Sequence, residues 1–131
     1  MVRTASLVGI EDAKVSMLVS ALRRAGATAS PQVERSFNVS ELGQLAPQIL
    51  LCDIDASGVD PLEFLRRLRF VLPESILAVY TAIVKTSWAR ECHLAGANCI
   101  LSKESSEAEL ALGLRGATVS GCFTDPRVAA A

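Results

Sequence analysis

Acidic, hydroxyl and basic side chains follow several short apolar runs of this 131-residue sequence. Glu11 and Asp12 come directly after the apolar run that begins the chain, and Asp53 follows the run Ile-Leu-Leu-Cys. Thr81 ends the next apolar run, and Lys103 stands just beyond the last one. Carboxylates that crowd together are unfavourable unless a cation relieves their repulsion. No arginine stands beside the three acids in the sequence, so a bound cation is the expected partner.

Mg²⁺ suits such a group of oxygen ligands, because it prefers one or two carboxylates, backbone carbonyls and retained waters. With the metal in place, the carboxylate of Asp53 is suited to attack a phosphoryl donor. The Lys103 ammonium, the Thr81 hydroxyl and the backbone N–H of Ala82 suit the oxygens of a transferred phosphoryl group. Taken singly, each residue is ordinary polar chemistry at a strand end. Together and in this chain order, they predict a phosphoryl-transfer site.

The elements that position these residues follow from the hydrophobic pattern. Short apolar runs alternate with amphipathic stretches, which predicts a parallel sheet covered by helices on both faces. The predicted strands are Thr4–Ile10, Ala27–Val33, Gln48–Cys52, Ser75–Thr81 and Asn98–Leu101. The predicted helices are one that ends at Gly26, then Ser40–Leu45, a third with Leu62, Leu65, Leu68 and Val71 inward, Ser87–Ala95, Ser106–Val119, and a further one starting at Thr124-Asp125-Pro126. Such a sheet presents its functional groups at the carboxyl ends of its strands, which is where the polar residues lie.

Composition excludes several classes of function. The 13 basic and 14 acidic residues give a net charge of −1, and no basic stripe is present that would hold a nucleic-acid backbone. The four cysteines form no CxxC pair, which argues against structural zinc and thioredoxin-type redox chemistry. No signal-peptide pattern and no apolar run of ~20 residues is present. We therefore expect one cytoplasmic domain. On the fourth helix, we expect His93 to be a surface or packing residue and Trp88 to pack partly against the core.

Four segments resemble the receiver domain of two-component response regulators, over about residues 3 to 121. They are Ile10-Glu11-Asp12, the segment from Leu51 through Asp53 to Pro61, Tyr80-Thr81-Ala82, and Gly96-Ala97 followed by a strand and Lys103. The resemblance implies a flavodoxin-like (CheY-like) fold with strand order 2-1-3-4-5. The chain departs from the family pattern at Ala56, Ser57, Pro61 and Ile100.

The resemblance implies a role for each matching residue. Asp53 is the expected phosphoacceptor, Thr81 the switch hydroxyl and Lys103 the ammonium beside the phosphoryl group, with the Ala82 N–H as a further donor. For Mg²⁺, the implied ligands are Asp53, Asp12 directly, Glu11 through water, and the backbone carbonyl of Asp55. We therefore expect a signalling switch that takes part in its own aspartyl phosphorylation and dephosphorylation, and not a metabolic enzyme.

Glu104 after the lysine, and the tail from Gly121 to Ala129, resemble the NarL/FixJ (LuxR-type) subfamily of transcriptional regulators. The resemblance implies a receiver domain over residues 1–121 and, over 122–131, the start of a linker or helix toward an output domain outside this sequence. The implied partner is a sensor histidine kinase or a phosphotransfer protein, with no membrane contact. The resemblance also allows a homodimer, and it implies that the protein contacts DNA only through the output domain.

Two alternatives stay open at this point. The first is a degenerate receiver that serves as an interaction module without responding to phosphorylation, which the departures from the family pattern favour. The second is a Toprim-like, metal-dependent nucleic-acid enzyme, because Glu11 with Asp53-Ile54-Asp55 satisfies that family's bare acidic pattern. The second leaves Asp12, Thr81 and Lys103 without a role.

Overall fold

The computed structural model describes residues 3–28, 30–56, 58 and 60–129. The strands in these residues are β1 Ala5–Val8, β2 Gln32–Glu34, β3 Ile49–Asp53, β4 Ile76–Thr81, β5 Cys99–Ser102 and β6 Phe123–Thr124. The helices are α1 Asp12–Arg24, α2 Val39–Leu45, α3 Pro61–Val71, α4 Thr86–Ala95, α5 Glu107–Ser120 and α6 Pro126–Ala129, and a 3-10 turn, Ile54–Ala56, follows β3.

The described strands form one parallel sheet in the order β2-β1-β3-β4-β5-β6. The predicted flavodoxin-like, doubly wound fold and its order 2-1-3-4-5 are confirmed, and β6 adds a sixth strand beside β5. No prediction included β6, because two residues are too few to show an alternating pattern.

Two cores lie on opposite faces of this sheet. One packs α1 and α5 against residues such as Leu7, Leu51 and Leu101, and the other packs α2, α3 and α4 against residues such as Leu50 and Val79. Successive strand residues point to opposite faces, so the central strands are apolar at nearly every position. All five residues of β3 are buried. A sheet covered on both sides leaves its edges as the places where polar groups can meet.

The second predicted strand, Ala27–Val33, is wrong in its position. The pairing strand is Gln32–Glu34, while Ala27 forms only an isolated bridge with Arg3. Ala29 lies outside the described residues. This is an exposed edge strand whose residues gain little from burial, so the apolar pattern carries little information about where pairing begins.

The inward stripe of α3 is also rotated relative to its prediction. The helix buries Phe64, Leu65 and Leu68, whereas Leu62 is half-buried and Val71 is 37% exposed. Asp60 caps the helix through its carboxylate, which accepts hydrogen bonds from the first-turn N–H groups. The buried face continues from Leu68 to Leu72, which is also buried, so Val71 in the last turn lies to one side of it.

The C-terminal segment packs onto the domain. Asp125 caps α6, since its Oδ1 accepts a hydrogen bond of 2.8 Å from the Arg127 N–H, as the sequence predicted for a helix starting at Pro126. Val128 is fully buried against the α4 side of the sheet. Residues 130 and 131 lie outside the described residues.

His93 and Trp88 are packing residues, as predicted. The His93 ring joins α4 to the C-terminal segment, with Nδ1 2.8 Å from the Ala97 carbonyl and Nε2 2.7 Å from the Thr124 hydroxyl. Trp88 packs against the α2–α4 core. Among the described residues, no helix is both long enough and apolar enough to cross a membrane.

Candidate functional site

The predicted site residues of β3, β4 and β5 meet at one edge of the sheet. Asp53 is the last residue of β3 and pairs in register with Tyr80, and Thr81 is the last residue of β4 and pairs with Ser102. Lys103 follows β5, and its backbone N–H donates to the Thr81 carbonyl at 2.9 Å. Parallel register thus brings the carboxylate, the hydroxyl and the ammonium to neighbouring strand ends.

Asp53 and Lys103 form an ion pair at this edge. Asp53 is only 7% exposed, and its Oδ2 lies 2.9 Å from the Lys103 Nζ. Its Oδ1 accepts a hydrogen bond of 3.1 Å from the Asp55 N–H. Burial lowers the pKa of Lys103, but hydrogen bonds to the Asp53 and Asp55 carboxylates outweigh it and hold the pKa above its ordinary value. The lysine therefore presents a full positive charge to the candidate nucleophile at neutral pH.

The side chain of Asp55 makes three short polar contacts at the site. Its Oδ1 accepts a hydrogen bond of 2.7 Å from the Thr81 hydroxyl, and its Oδ2 accepts one of 2.8 Å from the Ala82 N–H. The same Oδ2 lies 3.2 Å from the Lys103 Nζ. Partial burial raises the pKa of Asp55, but these hydrogen bonds and the lysine charge lower it below its ordinary value of 3.8. Asp55 is therefore ionised at neutral pH.

This arrangement adds a role for Asp55 that the sequence analysis missed. That analysis assigned Asp55 only a backbone carbonyl, whereas its carboxylate is bound by Thr81, Ala82 and Lys103, the groups expected to hold a phosphoryl group. An acidic residue two positions after Asp53, on a tight turn, is the sequence signal that was available.

Glu11 and Asp12 lie beside the site at the start of α1 and have different partners. Asp12 Oδ1 forms a 2.7 Å ion pair with Arg35 Nη2 from the end of β2, in which both side chains are more than three-quarters exposed. Glu11 lines a small cavity together with Asp53 and Lys103. Asp12 thus has a basic partner that the sequence did not indicate, because the β1–β2 pairing brings an arginine from a distant part of the sequence beside it.

Tyr80 is a further residue of this cavity that the sequence analysis did not single out. Its buried hydroxyl has no hydrogen-bond partner among the residues that the structure describes, and its ring lies 5.8 Å from the Lys103 Nζ. Burial, together with Asp53 and Glu11, raises the pKa of Tyr80 despite the nearby lysine, so the phenol is neutral. The sequence carried no signal for it, because a tyrosine in an apolar strand indicates only packing.

The oxygen donors at this edge can be tested as ligands for Mg²⁺. In residues 3–28, 30–56, 58 and 60–129, no three His, Cys, Asp or Glu side chains are grouped as a metal site. Mg²⁺ needs only one or two carboxylates and keeps several waters, and Glu11 and Asp53 line the same cavity. The donor chemistry thus fits the ion, provided that Asp12 exchanges Arg35 for it. An ion pair this exposed contributes little, so that exchange costs little.

The segment after Asp53 and the position in β5 that depart from the receiver pattern are only partly described. Ser57 and Val59 lie outside the described residues. Ile100 is fully buried within the α2–α4 core, in register with Val79. An aliphatic side chain buried at this position takes no part in the polar edge.

Comparison with known proteins identifies the fold. No protein-family model matches the sequence, and no curated protein sequence matches it. Among solved structures, a LuxR-family two-component response regulator from Aurantimonas sp. SI85-9A1 aligns with a TM-score of 0.79 at 21% identity, over 99% of this chain and 94% of its own. The isolated REC domain of RcsB from Salmonella enterica serovar Typhimurium, with the phosphomimetic BeF3−, aligns with a TM-score of 0.83 at 14% identity, over 99% and 98%.

A response regulator from Thermotoga maritima aligns less closely, with a TM-score of 0.68 at 18% identity, over 88% of this chain and 99% of its own. At such identities the likeness is one of fold. The chain therefore has the fold of response-regulator receiver domains, and its function has to be argued from the site.

Proposed function

We propose that this chain is a phosphoacceptor receiver domain that takes a phosphoryl group onto Asp53 from a histidine kinase or a phosphotransfer protein. The observation that carries the proposal is the buried Asp53 carboxylate, 2.9 Å from the Lys103 ammonium, at the strand edge that also presents the Thr81 hydroxyl and the Ala82 N–H. A nucleophile, a cation and two neutral donors within one small area are what phosphoryl transfer to a carboxylate requires.

The proposed reaction is a simple exchange at phosphorus. One Asp53 oxygen attacks the phosphorus and forms an acyl phosphate, and the bond from phosphorus to the leaving group breaks. The leaving group keeps the electron pair and departs as acetate from acetyl phosphate, or as a histidine ring from a phosphohistidine. Lys103 balances the charge of the phosphoryl oxygens, and the Thr81 hydroxyl and the Ala82 N–H donate to them.

Mg²⁺ is part of this proposal. The donor set nominates Asp53 and Asp12 as ligands, Glu11 through water, and the backbone carbonyl of Asp55. When bound, the ion supplies positive charge that lets an anionic donor approach a group of carboxylates. This ligand set requires Asp12 to exchange Arg35 for the ion, and it requires Asp53 to bind the ion beside Lys103.

We further propose a cytoplasmic transcription regulator of the LuxR type, in which an output domain in a longer protein contacts DNA. Two structural neighbours support this: one is described as a LuxR-family response regulator, and another as two RcsB dimers bound to two parallel DNAs. Thr81 is the proposed switch, because its hydroxyl would move toward the phosphoryl group. Its backbone carbonyl accepts a hydrogen bond from the Lys103 N–H, and its Oγ1 accepts one from the Ile83 N–H. Ile100 provides no aromatic ring for that movement.

The decisive experiment is the intact mass of the protein after incubation with acetyl phosphate, with and without Mg²⁺. The wild type should gain one phosphoryl group in a Mg²⁺-dependent reaction, and Asp53→Asn should gain none. Asp60→Asn is the matched control, since it removes a carboxylate that caps α3. Stoichiometric phosphate on Asp53→Asn would show that the nucleophile is another residue.

A second candidate is the degenerate receiver that acts as an interaction module. The contacts of Asp55 favour it, because they occupy the donors that a phosphoryl group would need. No mass gain in wild type, with Mg²⁺ binding separately confirmed, would support this candidate over the first.

A further inference from the structure

Every donor expected to hold a phosphoryl group is engaged by the Asp55 carboxylate. The Thr81 hydroxyl donates to Oδ1 at 2.7 Å, the Ala82 N–H donates to Oδ2 at 2.8 Å, and the Lys103 ammonium lies 3.2 Å from Oδ2. The two Asp55 oxygens thus bind this set of donors as two oxygens of a phosphoryl group would.

The Thr81 and Ala82 donors cannot serve both anions at once. Thr81 has one hydroxyl proton and Ala82 has one N–H, so each makes one strong hydrogen bond. Lys103 has three protons, and it already lies within 3.2 Å of both Asp53 and Asp55. A phosphoryl group on Asp53 would therefore find the Thr81 hydroxyl and the Ala82 N–H already occupied, beside a carboxylate of like charge.

We propose that Asp55 is an internal competitor for the phosphoryl-binding donors, so that Asp53 holds a phosphoryl group only when the Asp55 side chain leaves Thr81 and Ala82. This inference rests on the proposed function and deepens it, because it identifies what limits phosphorylation at the same site. Asp55 acts here as a positioning residue: it forms no bond to phosphorus and changes the availability of the groups that do contact it.

The geometry allows such an exchange without unfolding. Asp55 lies on the 3-10 turn after β3, and its side chain is 22% exposed, so a rotation about its side-chain bonds leads to solvent. Asp53 is anchored differently, since it ends the fully buried strand β3 and its side chain is only 10% exposed. The acceptor is therefore fixed, and the competitor is the group that is free to move.

The test compares Asp55→Ala and Asp55→Asn with wild type in the rate of phosphoryl gain from acetyl phosphate, measured by intact mass. Asp55→Ala should accelerate the gain at least about tenfold, the factor expected when one charge-assisted hydrogen bond no longer has to be broken. Asp55→Asn, which keeps the shape and loses the charge, should fall between Asp55→Ala and wild type. Asp60→Asn, with the same change in net charge, should match wild type.

A second measurement does not depend on phosphorylation. Hydrogen exchange at the Ala82 N–H, followed by NMR without any phosphodonor, should be faster in Asp55→Ala than in wild type and unchanged in Asp60→Asn. An unchanged rate in Asp55→Ala would mean that the contact does not form in solution, and it would overturn the inference.

The outcomes separate this inference from the proposed function. Equal rates of phosphoryl gain in wild type and Asp55→Ala would leave the phosphoacceptor standing and reject the competitor. No gain in either protein would reject the phosphoacceptor, and the competitor with it. A faster gain in Asp55→Ala than in wild type, lost from both proteins when Asp53→Asn is added, would support both.

Discussion

Two carboxylates in this chain are bound by almost the same set of groups and yet differ in how firmly they are held. Asp55 accepts hydrogen bonds from the Thr81 hydroxyl and the Ala82 N–H, and it lies beside Lys103. Asp125 accepts hydrogen bonds from the Ser105 hydroxyl at 2.6 Å and the Arg127 N–H at 2.8 Å, and it lies 3.5 Å from the Arg127 guanidinium.

The difference lies in the surroundings. The Asp125 side chain is 5% exposed and caps α6, the helix that places Val128 in the core. The Asp55 side chain is 22% exposed and shares its cation with a second carboxylate. A hydroxyl, an amide and a cation thus hold a carboxylate permanently when it is buried without a second anion. They hold it exchangeably when water and a second anion are within reach.

The largest expected effect is on stability, through the permanently held carboxylate of Asp125. Asp125→Ala should lower the free energy of unfolding by about 3 kcal/mol, because it removes a helix cap and leaves the buried Ser105 hydroxyl without its acceptor. Asp55→Ala should cost under about 1 kcal/mol, since relief of the Asp53–Asp55 repulsion offsets the lost hydrogen bonds. Urea unfolding followed by Trp88 fluorescence measures both free energies, and equal losses would contradict the difference in how firmly Asp125 and Asp55 are held.

A somewhat smaller effect on the free energy of unfolding is expected from Lys103, the cation beside Asp55. Lys103→Met should cost about 2 kcal/mol at pH 7, below the ~3–5 kcal/mol of a fully buried pair, because the lysine side chain is 28% exposed. The loss should shrink as the pH falls through the lowered pKa of Asp55, where protonation of that carboxylate relieves its repulsion with Asp53. A loss independent of pH would indicate that the lysine contributes by packing against Tyr80 and not by its charge.

Two serine hydroxyls, one that donates to a buried carboxylate and one that donates to a more exposed carboxylate, allow a sharper comparison. Ser105→Ala should cost about 1 kcal/mol, because its partner Asp125 is sealed from water. Ser20→Ala should cost a few tenths of that, since its acceptor Glu107 is 36% exposed and water replaces the hydroxyl. The same urea series decides the matter, and an equal cost for the two serines would contradict the role given to burial.

The smallest expected effect is a pH dependence from Asp55. Its pKa in the folded protein lies below the ordinary 3.8, so the unfolded chain takes up the proton first as the pH falls. The stabilisation is therefore complete above about pH 5 and is lost as the pH falls through the lowered folded pKa. The stability difference between wild type and Asp55→Asn should decrease over this range, and a constant difference would show that the Asp55 carboxylate is not held by its donors.

Much of the fold could be predicted from the sequence. β3 and β4 are central strands, and their continuous apolar runs identified them nearly to the residue. Asp125 before Pro126 identified the start of α6 for a local reason, since a cap and its helix are adjacent in the chain. The edge strands escaped this reasoning, because β2 is exposed and β6 is two residues long, so both depend on their neighbours for pairing.

The site was predictable in its members but not in its pairings. Asp53, Thr81 and Lys103 were identified because strand ends of a parallel sheet share one edge. The contacts of Asp55 and the Asp12–Arg35 pair were not, because they depend on which donor reaches which oxygen across 23 to 48 residues of chain. Local sequence carries no record of such distances.

The sequence by itself determined the central strands and the helices between them, that the sheet is buried on both faces, and that carboxylates, a hydroxyl and an ammonium collect at the strand ends. These follow from hydrophobic burial and backbone geometry, which act residue by residue along the chain. Only the tertiary structure decided how the few donors at that edge are divided among the carboxylates. That division depends on where parts of the chain far apart in sequence come to lie, and it places Asp55 on the donors that Asp53 would need.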